Sequence, residues 1–282
     1  MKTYIAVFLM VFALLASCKN FETKIIPTTK RNAGKDSIVD PNAERVIKEY
    51  FSNGKVKTEI AVKGNLRHGL TKNYDRYGNL LSQVTYVNNV KEGMATNFYE
   101  KSGKINSTLI YENGIKEGDE IWYWESGRPY RVTPYVKGYA NGIQKYYYED
   151  GKLKAEVPWK NGKAGVGIKE YNGDGSLVTG YPQLKIKQND YMKQANKVIL
   201  TIEMSDPSVS AKFYRGPLLE GKYLTDKLLE LAIQNGISQV DFNVAPGASL
   251  NEKVTITANV KTKFGYPLIL TKTYLVNATN NN

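Results

Sequence analysis

The stretch YYYEDGKLKAEVPWKNGKAG, residues 146–165, reads as strand, tight turn, strand and turn again. Its aromatic run ends at Glu149-Asp150-Gly151, where glycine supplies the positive φ a tight turn needs and aspartate tolerates the same region. The chain then alternates. Leu153, Ala155, Val157 and Trp159 fall on one side, and Lys152, Lys154 and Glu156 on the other, the period-two pattern of a half-buried strand. Turns such as NGIKEG (113–118) and KGYANG (137–142) lead from one hairpin to the next.

The same unit recurs. Gly54, Gly78, Gly103, Gly127, Gly151 and Gly175 follow one another at steps of 24, 25, 24, 24 and 24 residues. Four residues before each stands a tyrosine: Tyr50, Tyr74, Tyr99, Tyr123, Tyr147 and Tyr171. Two residues after comes Val56, Leu80, Ile105, Pro129, Leu153 or Leu177; eight after, Val62, Tyr86, Tyr111, Tyr135 or Trp159. A third glycine register holds Gly69, Gly93, Gly118 and Gly142, then blurs at Gly165. A fixed period of this size is the signature of a repeat architecture. A lone hairpin cannot bury its own face, whereas stacked neighbours can. The fold class is therefore mainly β: an elongated, single-layer antiparallel sheet of six hairpin repeats over 44–182. Pro129, Pro134 and Pro158 interrupt returning strands, where they remove ladder hydrogen bonds. The sixth unit is truncated like a cap. The glycines lead from strand to strand rather than into a helix, so they do not form a phosphate loop.

These units resemble the MORN-repeat family, and more closely its bacterial variants with units of the form YY.NG.L..E..Y.NGK..G, which residues 146–165 follow nearly letter for letter. The resemblance covers about half the chain. It implies an elongated, single-layer antiparallel sheet with a twisted or grooved face. Some such proteins carry the label of toxin–antitoxin antitoxin, and others are lipoproteins.

The six tyrosines are expected to be the structural core of the repeats, stacking between rungs with each hydroxyl at the wet edge. Trp122 and Trp124 should lie on the face opposite Tyr123, and Tyr146 and Tyr148 likewise flank Tyr147. One repeat apart, these four form the candidate binding surface, an exposed aromatic patch framed by Arg128, Arg131 and Lys145.

After Pro182 the period stops. Segments 197–204, 208–215, 239–244, 253–263 and 267–276 alternate and are rich in β-branched residues, the mark of strands. TDKLLELAIQNG (225–236) reads as a helix with Leu228, Leu229, Ala232 and Ile233 in a stripe, Thr225 at its N-cap and Gly236 at its C-cap. Residues 183–278 are expected to form a small β-sandwich-like domain with this one helix, and 279–282 a disordered tail.

The ends give an address. Lys2 precedes thirteen apolar residues, YIAVFLMVFALLA, too short to span a bilayer and right for a signal peptide over 1–17. It closes on Leu15-Ala16-Ser17-Cys18, which resembles a bacterial lipobox. Cys18 is the only cysteine, so it has no disulfide partner, and lipidation accounts for it. Residues 18–43 then form a flexible tether. The segment after Cys18 lacks an immediate aspartate and an acidic cluster, which favours the outer membrane, periplasmic side, with surface exposure the alternative.

The formal charge of +12 is spread without basic runs, unlike a nucleic-acid binder, so no nucleic-acid partner is expected. Chemistry is poorly supported. His68, in a turn, is the only histidine, and with Cys18 lipidated no catalytic site, cofactor or metal is expected. The carboxylates Asp119/Glu120 and Glu125/Glu149 follow the repeat and read as surface ladder pairs. The expected function is a non-enzymatic, membrane-anchored lipoprotein. It would be held in the membrane through Cys18 and act as a scaffold or accessory subunit for another envelope protein. The alternatives are an immunity or antitoxin protein, which the resemblance alone implies, and glycan or peptidoglycan binding through the aromatic patch.

Overall fold

The computed structural model describes residues 43–281. The expected signal peptide, Cys18 and the expected tether as far as residue 42 lie outside the described residues, as does residue 282.

The repeats form one antiparallel sheet. Its strands are β1 (Glu44–Tyr50), β2 (Val56–Lys63), β3 (Leu66–Tyr74), β4 (Leu80–Val87), β5 (Val90–Lys91), β6 (Gly93–Phe98), β7 (Ile105–Glu112) and β8 (Ile115–Tyr123), followed by β9 (Pro129–Val136), β10 (Tyr139–Ala140), β11 (Gly142–Tyr147), β12 (Leu153–Lys160), β13 (Lys163–Ala164) and β14 (Lys169–Glu170). Long strands pair in chain order, while β5, β10 and β14 are short additions to β4, β9 and β12.

Five of the six hairpins close in the same way. The amides of Phe51, Asp75, Trp124, Tyr148 and Asn172 donate to the carbonyl four residues on, and the turn glycine donates back to the carbonyl of that same residue. Gly54, Gly78, Gly103, Gly127, Gly151 and Gly175 all have φ between 65° and 96°, a region costly for residues with a Cβ. The third turn differs: Tyr99 N–H bonds to the carbonyl of Lys104, one residue further. The extra residue is the origin of the 25-residue step, and it corrects one assignment. Phe98, not Tyr99, pairs as Tyr50, Tyr74, Tyr123 and Tyr147 do. Tyr99 is equivalent to Trp124 and Tyr148 at the mouth of the turn.

Beside each of the first five turns the register slips by one, leaving Lys57, Leu81, Asn106, Tyr130 or Lys154 as a β-bulge.

Cross-strand partners place the row Thr58, Asn73, Ser82, Asn97, Ser107, Trp122, Arg131, Tyr146, Ala155, Glu170 on one face, here face A. Its polar half is knit by side chains: Asn73 donates to Ser82 (3.0 Å) and Asn97 to Ser107 (2.9 Å). The buried residues of the sheet lie mostly on this face, among them Leu109, Glu120, Thr133, Gln144, Ala155 and Val157.

The tyrosine series points to the other face, B, and is not a buried core. Tyr50 is 50% exposed, and none of the six is among the buried residues. Among the described residues no second layer of the sheet covers them. They close polar cross-strand contacts instead: Tyr74 Oη donates to Glu59 (2.8 Å) and Tyr171 Oη to Glu156 (3.1 Å), while Tyr123 and Thr108 hydroxyls meet at 3.3 Å. Tyr86, Tyr111, Tyr135 and Trp159 face A, each directly opposite Gly69, Gly93, Gly118 or Gly142. The ring thus covers a position that has no side chain of its own. A Cβ on Gly142 would lie 2.9 Å from Pro134 Cγ. Arg67, Lys91 and Lys116 cap Tyr86, Tyr111 and Tyr135 at 5.4, 4.8 and 4.7 Å.

Repeat six shrinks to β14 and a bridge between Tyr171 and Leu177. Beyond it lie β15 (Leu184–Tyr191), α1 (Met192–Ala195), β16 (Lys197–Met204), β17 (Ala211–Arg215), β18 (Leu229–Glu230), β19 (Ile233–Gln234), β20 (Ile237–Asn243), β21 (Ser249–Lys261) and β22 (Pro267–Thr279). They build two four-stranded antiparallel sheets, β15-β16-β20-β19 and β18-β17-β21-β22. Val198, Leu200 and Ile202 of one and Phe213, Ile256 and Val276 of the other meet in a shared core.

Two expectations fail in this region. Residues 225–236 are not a helix: β18 edges one sheet and β19 the other, and Asn235-Gly236 (φ 52° and 79°) turns the chain into β20. The Asn-Gly pair is a hairpin signal rather than a C-cap, and Leu229 of the expected apolar stripe is 62% exposed. Nor is 279–281 a loose tail. Thr279 ends β22 and Asn280 is fully buried, donating from Nδ2 to the Val244 carbonyl (2.7 Å) and Asn196 Oδ1 (2.9 Å).

Candidate aromatic binding face

Adjacent strands β8, β9 and β11 bring Trp122, Arg131 and Tyr146 side by side on face A. Trp124 and Tyr148 lie two residues towards the turns. Trp122 and Trp124 thus share a face with Tyr146 and Tyr148, opposite Tyr123 and Tyr147. The bulge between β8 and β9 swings Tyr130 into the group, 5.2 Å from Trp124 and 6.5 Å from Trp122 between ring centres. The Arg131 guanidinium stands over Trp122 at 4.9 Å and Tyr130 at 5.9 Å. Its Nη2 reaches Glu120 at 3.5 Å, and Lys116 Nζ reaches the same carboxylate at 3.0 Å. Glu120 is buried and fixes both cations.

Three donors in this cluster, Trp122 Nε1, Trp124 Nε1 and Arg131 Nε, are shielded and have no hydrogen-bond partner. Such donors are costly to leave unmade, and an acceptor would reach them only if the covering side chains moved aside.

The patch is not four open rings. All four are half-buried, and the chain itself covers one end. Tyr266, in the turn between β21 and β22, packs against Tyr146 with ring centres 4.5 Å apart and planes tilted by 44°. Lys154 Nζ lies between Tyr148 and Phe264, 5.1 Å from each ring. Thr262 of the same turn donates to buried Glu170 (2.8 Å), which also accepts from Tyr181 (2.7 Å). Burial, then the neighbouring Tyr146 and Glu170, pushes the Tyr266 phenol up to about 12. Burial also raises Tyr146, against the pull of Arg131. Tyr146 Oη donates to Gln144, which holds Trp159 Nε1 and Thr133 as well.

Two framing residues are elsewhere. Arg128 Nη1 donates to the carbonyl of Glu149 in the next turn (3.1 Å), as Lys104 and Lys152 do to Glu125 and Gly173 (2.8 Å each). It is a brace between turns. Lys145 pairs with Val132 and Glu156 on face B. Glu120, expected in a surface ladder pair, is instead buried beneath the cluster, and the sequence reading missed Tyr130, Gln144 and the β21–β22 turn. Tyr130 was within reach, since every bulge falls three residues after the turn glycine. Tyr266 was not, because no period links the C-terminal strands to the repeats.

The carboxylates Asp119 and Glu120 are neighbours on one strand and point to opposite faces. Glu125 and Glu149 are exposed. His68 is in β3, not a turn, and its Nδ1 has no partner. Among the described residues no cluster of His, Cys, Asp or Glu could hold a metal ion. A concavity of about 490 Å³ on the C-terminal domain is lined by Lys185, Lys187, Lys272, Asn189, Thr201 and Glu203.

Comparison with known families agrees with the periodicity. Residues 67–88 and 140–161 each match the MORN repeat variant, and the two windows lie three repeat steps apart in the same register. The chain therefore carries MORN repeat variant units in these two stretches. No curated protein matches the chain.

Proposed function

We propose that this chain is a non-enzymatic binding scaffold, anchored by a lipid at Cys18 to a bacterial envelope membrane and docking another envelope protein on face A of repeats four to six. The observation that carries the reading is the cluster of Trp122, Trp124, Tyr130 and Arg131. It is a preorganised aromatic surface around a pinned guanidinium, with three shielded donors left over. Aromatic residues and arginine are the side chains that dominate protein interfaces. The repeat sheet supports them rigidly from below, and the C-terminal domain borders them.

The test is affinity capture of the full-length lipidated chain from detergent-solubilised envelopes. Trp124→Ala/Arg131→Ala should lose a stoichiometric protein partner that Arg128→Ala retains. If wild type captures no partner, or the double variant keeps it, the reading fails. A glycan ligand is the second reading, favoured by the same rings and donors. It would show as sugar-dependent protection of tryptophan fluorescence.

A further inference from the structure

The two ends of the repeat sheet are finished differently. At the far end the backbone is closed: Val166 N–H donates to the Lys222 carbonyl (2.9 Å) and Leu224 N–H to the Ala164 carbonyl (3.0 Å). At the near end β1 pairs only with β2 among the described residues. Among the described residues its other edge is an open row of backbone donors and acceptors, the arrangement that recruits a further strand.

Which residues face that open edge follows from two bonds. Gly64 N–H donates to the Ala43 carbonyl, and Phe51 N–H donates to the Lys55 carbonyl. Residues 43 and 51 thus turn their backbone groups towards β2. By the alternation of an antiparallel ladder, Arg45, Ile47 and Glu49 do the same, and Glu44, Val46, Lys48 and Tyr50 present theirs outward.

We infer that β1 is a dimerisation edge: two copies of this chain join by antiparallel β1–β1 pairing about a two-fold axis through Ile47. In this register Val46 faces the partner's Lys48 and Glu44 the partner's Tyr50. All four are outward-facing residues, so each pair exchanges both of its backbone hydrogen bonds. Arg45 then faces the partner's Glu49, and Glu49 the partner's Arg45. These are non-hydrogen-bonded pairs, in which side chains approach most closely. Arg45 and Glu49 lie on the same face, A, opposite Val62 and Thr58. Neither has an ion-pair partner among the described residues, whereas Lys48 is held by Glu59 and Glu44 faces Lys63. Val46, 58% exposed, and Ile47 at the axis add apolar contact. The contact is isologous, so it closes at two copies, and the capped far ends do not extend it.

The experiment co-expresses two differently tagged full-length copies and scores co-capture from detergent. Wild type should capture wild type. Arg45→Glu with itself, and Glu49→Arg with itself, should lose capture, because each places like charges opposite one another twice. Arg45→Glu mixed with Glu49→Arg should regain it, since both cross-pairs are then opposite in charge. Val46→Pro removes an outward N–H while sparing the β1–β2 ladder, and should also abolish capture. Ile47→Cys should cross-link to itself under mild oxidation, while Lys48→Cys should do so only with Val46→Cys. The inference is overturned if wild type is monomeric, as it would be were the chain's own preceding segment on this edge. It is equally overturned if the single charge variants still associate, or if their mixture does not.

Discussion

Tyr74 shows what a half-buried phenol does in a sheet with one layer. Burial and the hydrogen bond to Glu59 push it from 10.0 up to about 12. Glu59 is held low by Lys48 and by Tyr74 itself. The folded state thus keeps the Tyr74 proton beyond the pH at which the unfolded chain releases it. Its stabilising contribution is complete below pH 10 and is lost as pH rises through about 12. Tyr74→Phe should show a shallower loss of stability over that window, measured by urea unfolding at stepped pH; an unchanged slope would remove the Tyr74–Glu59 pair as its source. At the other end of the array, Thr262→Val takes one hydroxyl from buried Glu170 and leaves Tyr181. It should cost about 1–3 kcal/mol in the same assay, and a loss below about 0.5 kcal/mol would mean that water replaces the hydroxyl. At this scale the sequence shows which residues recur but not how enclosed each becomes. The periodic tyrosines were the plainest signal and are not the core, because burial depends on what lies above a face.

At the scale of the hairpin, period and register were largely legible in advance, since turn glycines and alternation are local properties. The 25-residue step was visible too, but its location was not. Only the bond from Tyr99 to Lys104 puts the additional residue inside the turn and returns Phe98 to the tyrosine row. Deleting Lys101 should therefore be nearly neutral, within about 0.5 kcal/mol. It leaves Tyr99-Glu100-Ser102-Gly103-Lys104, which mirrors Trp124-Glu125-Ser126-Gly127-Arg128. Thermal unfolding would check it, and a loss of several kcal/mol would mean that the longer turn is needed. The neighbouring glycines separate two kinds of constraint. Gly142→Ala combines a φ of 125° with a clash against Pro134, whereas Gly151→Ala (φ 92°) meets nothing within 4 Å. The first should be the more destabilising by about 1–3 kcal/mol, and equal costs would show that Pro134 yields. The helix expected over 225–236 failed because a stripe of leucines fits two short edge strands as well as one helical face. An Asn-Gly pair settles that choice only when a partner strand is present.

For the molecule as a whole, the aromatic face joins parts that no sequence period connects. Trp122, Trp124, Tyr146 and Tyr148 were identifiable because repeats share a register. The turn that covers Tyr146 comes from strands some 120 positions later (Tyr266), and its arrival is a tertiary event. One feature of the array bears on evolution as well as on packing. A bulge adds right-handed twist to a strand pair, and one sits at the same place in each of the first five units. Every unit thus contributes its own increment of rotation between the open edge strand and the aromatic face. Gain or loss of a whole unit would swing the bearing of one against the other by a fixed angle while leaving each side chain its neighbours. The number of hairpins acts as a dial with discrete stops: a lineage can re-aim what the molecule presents without redesigning a single contact.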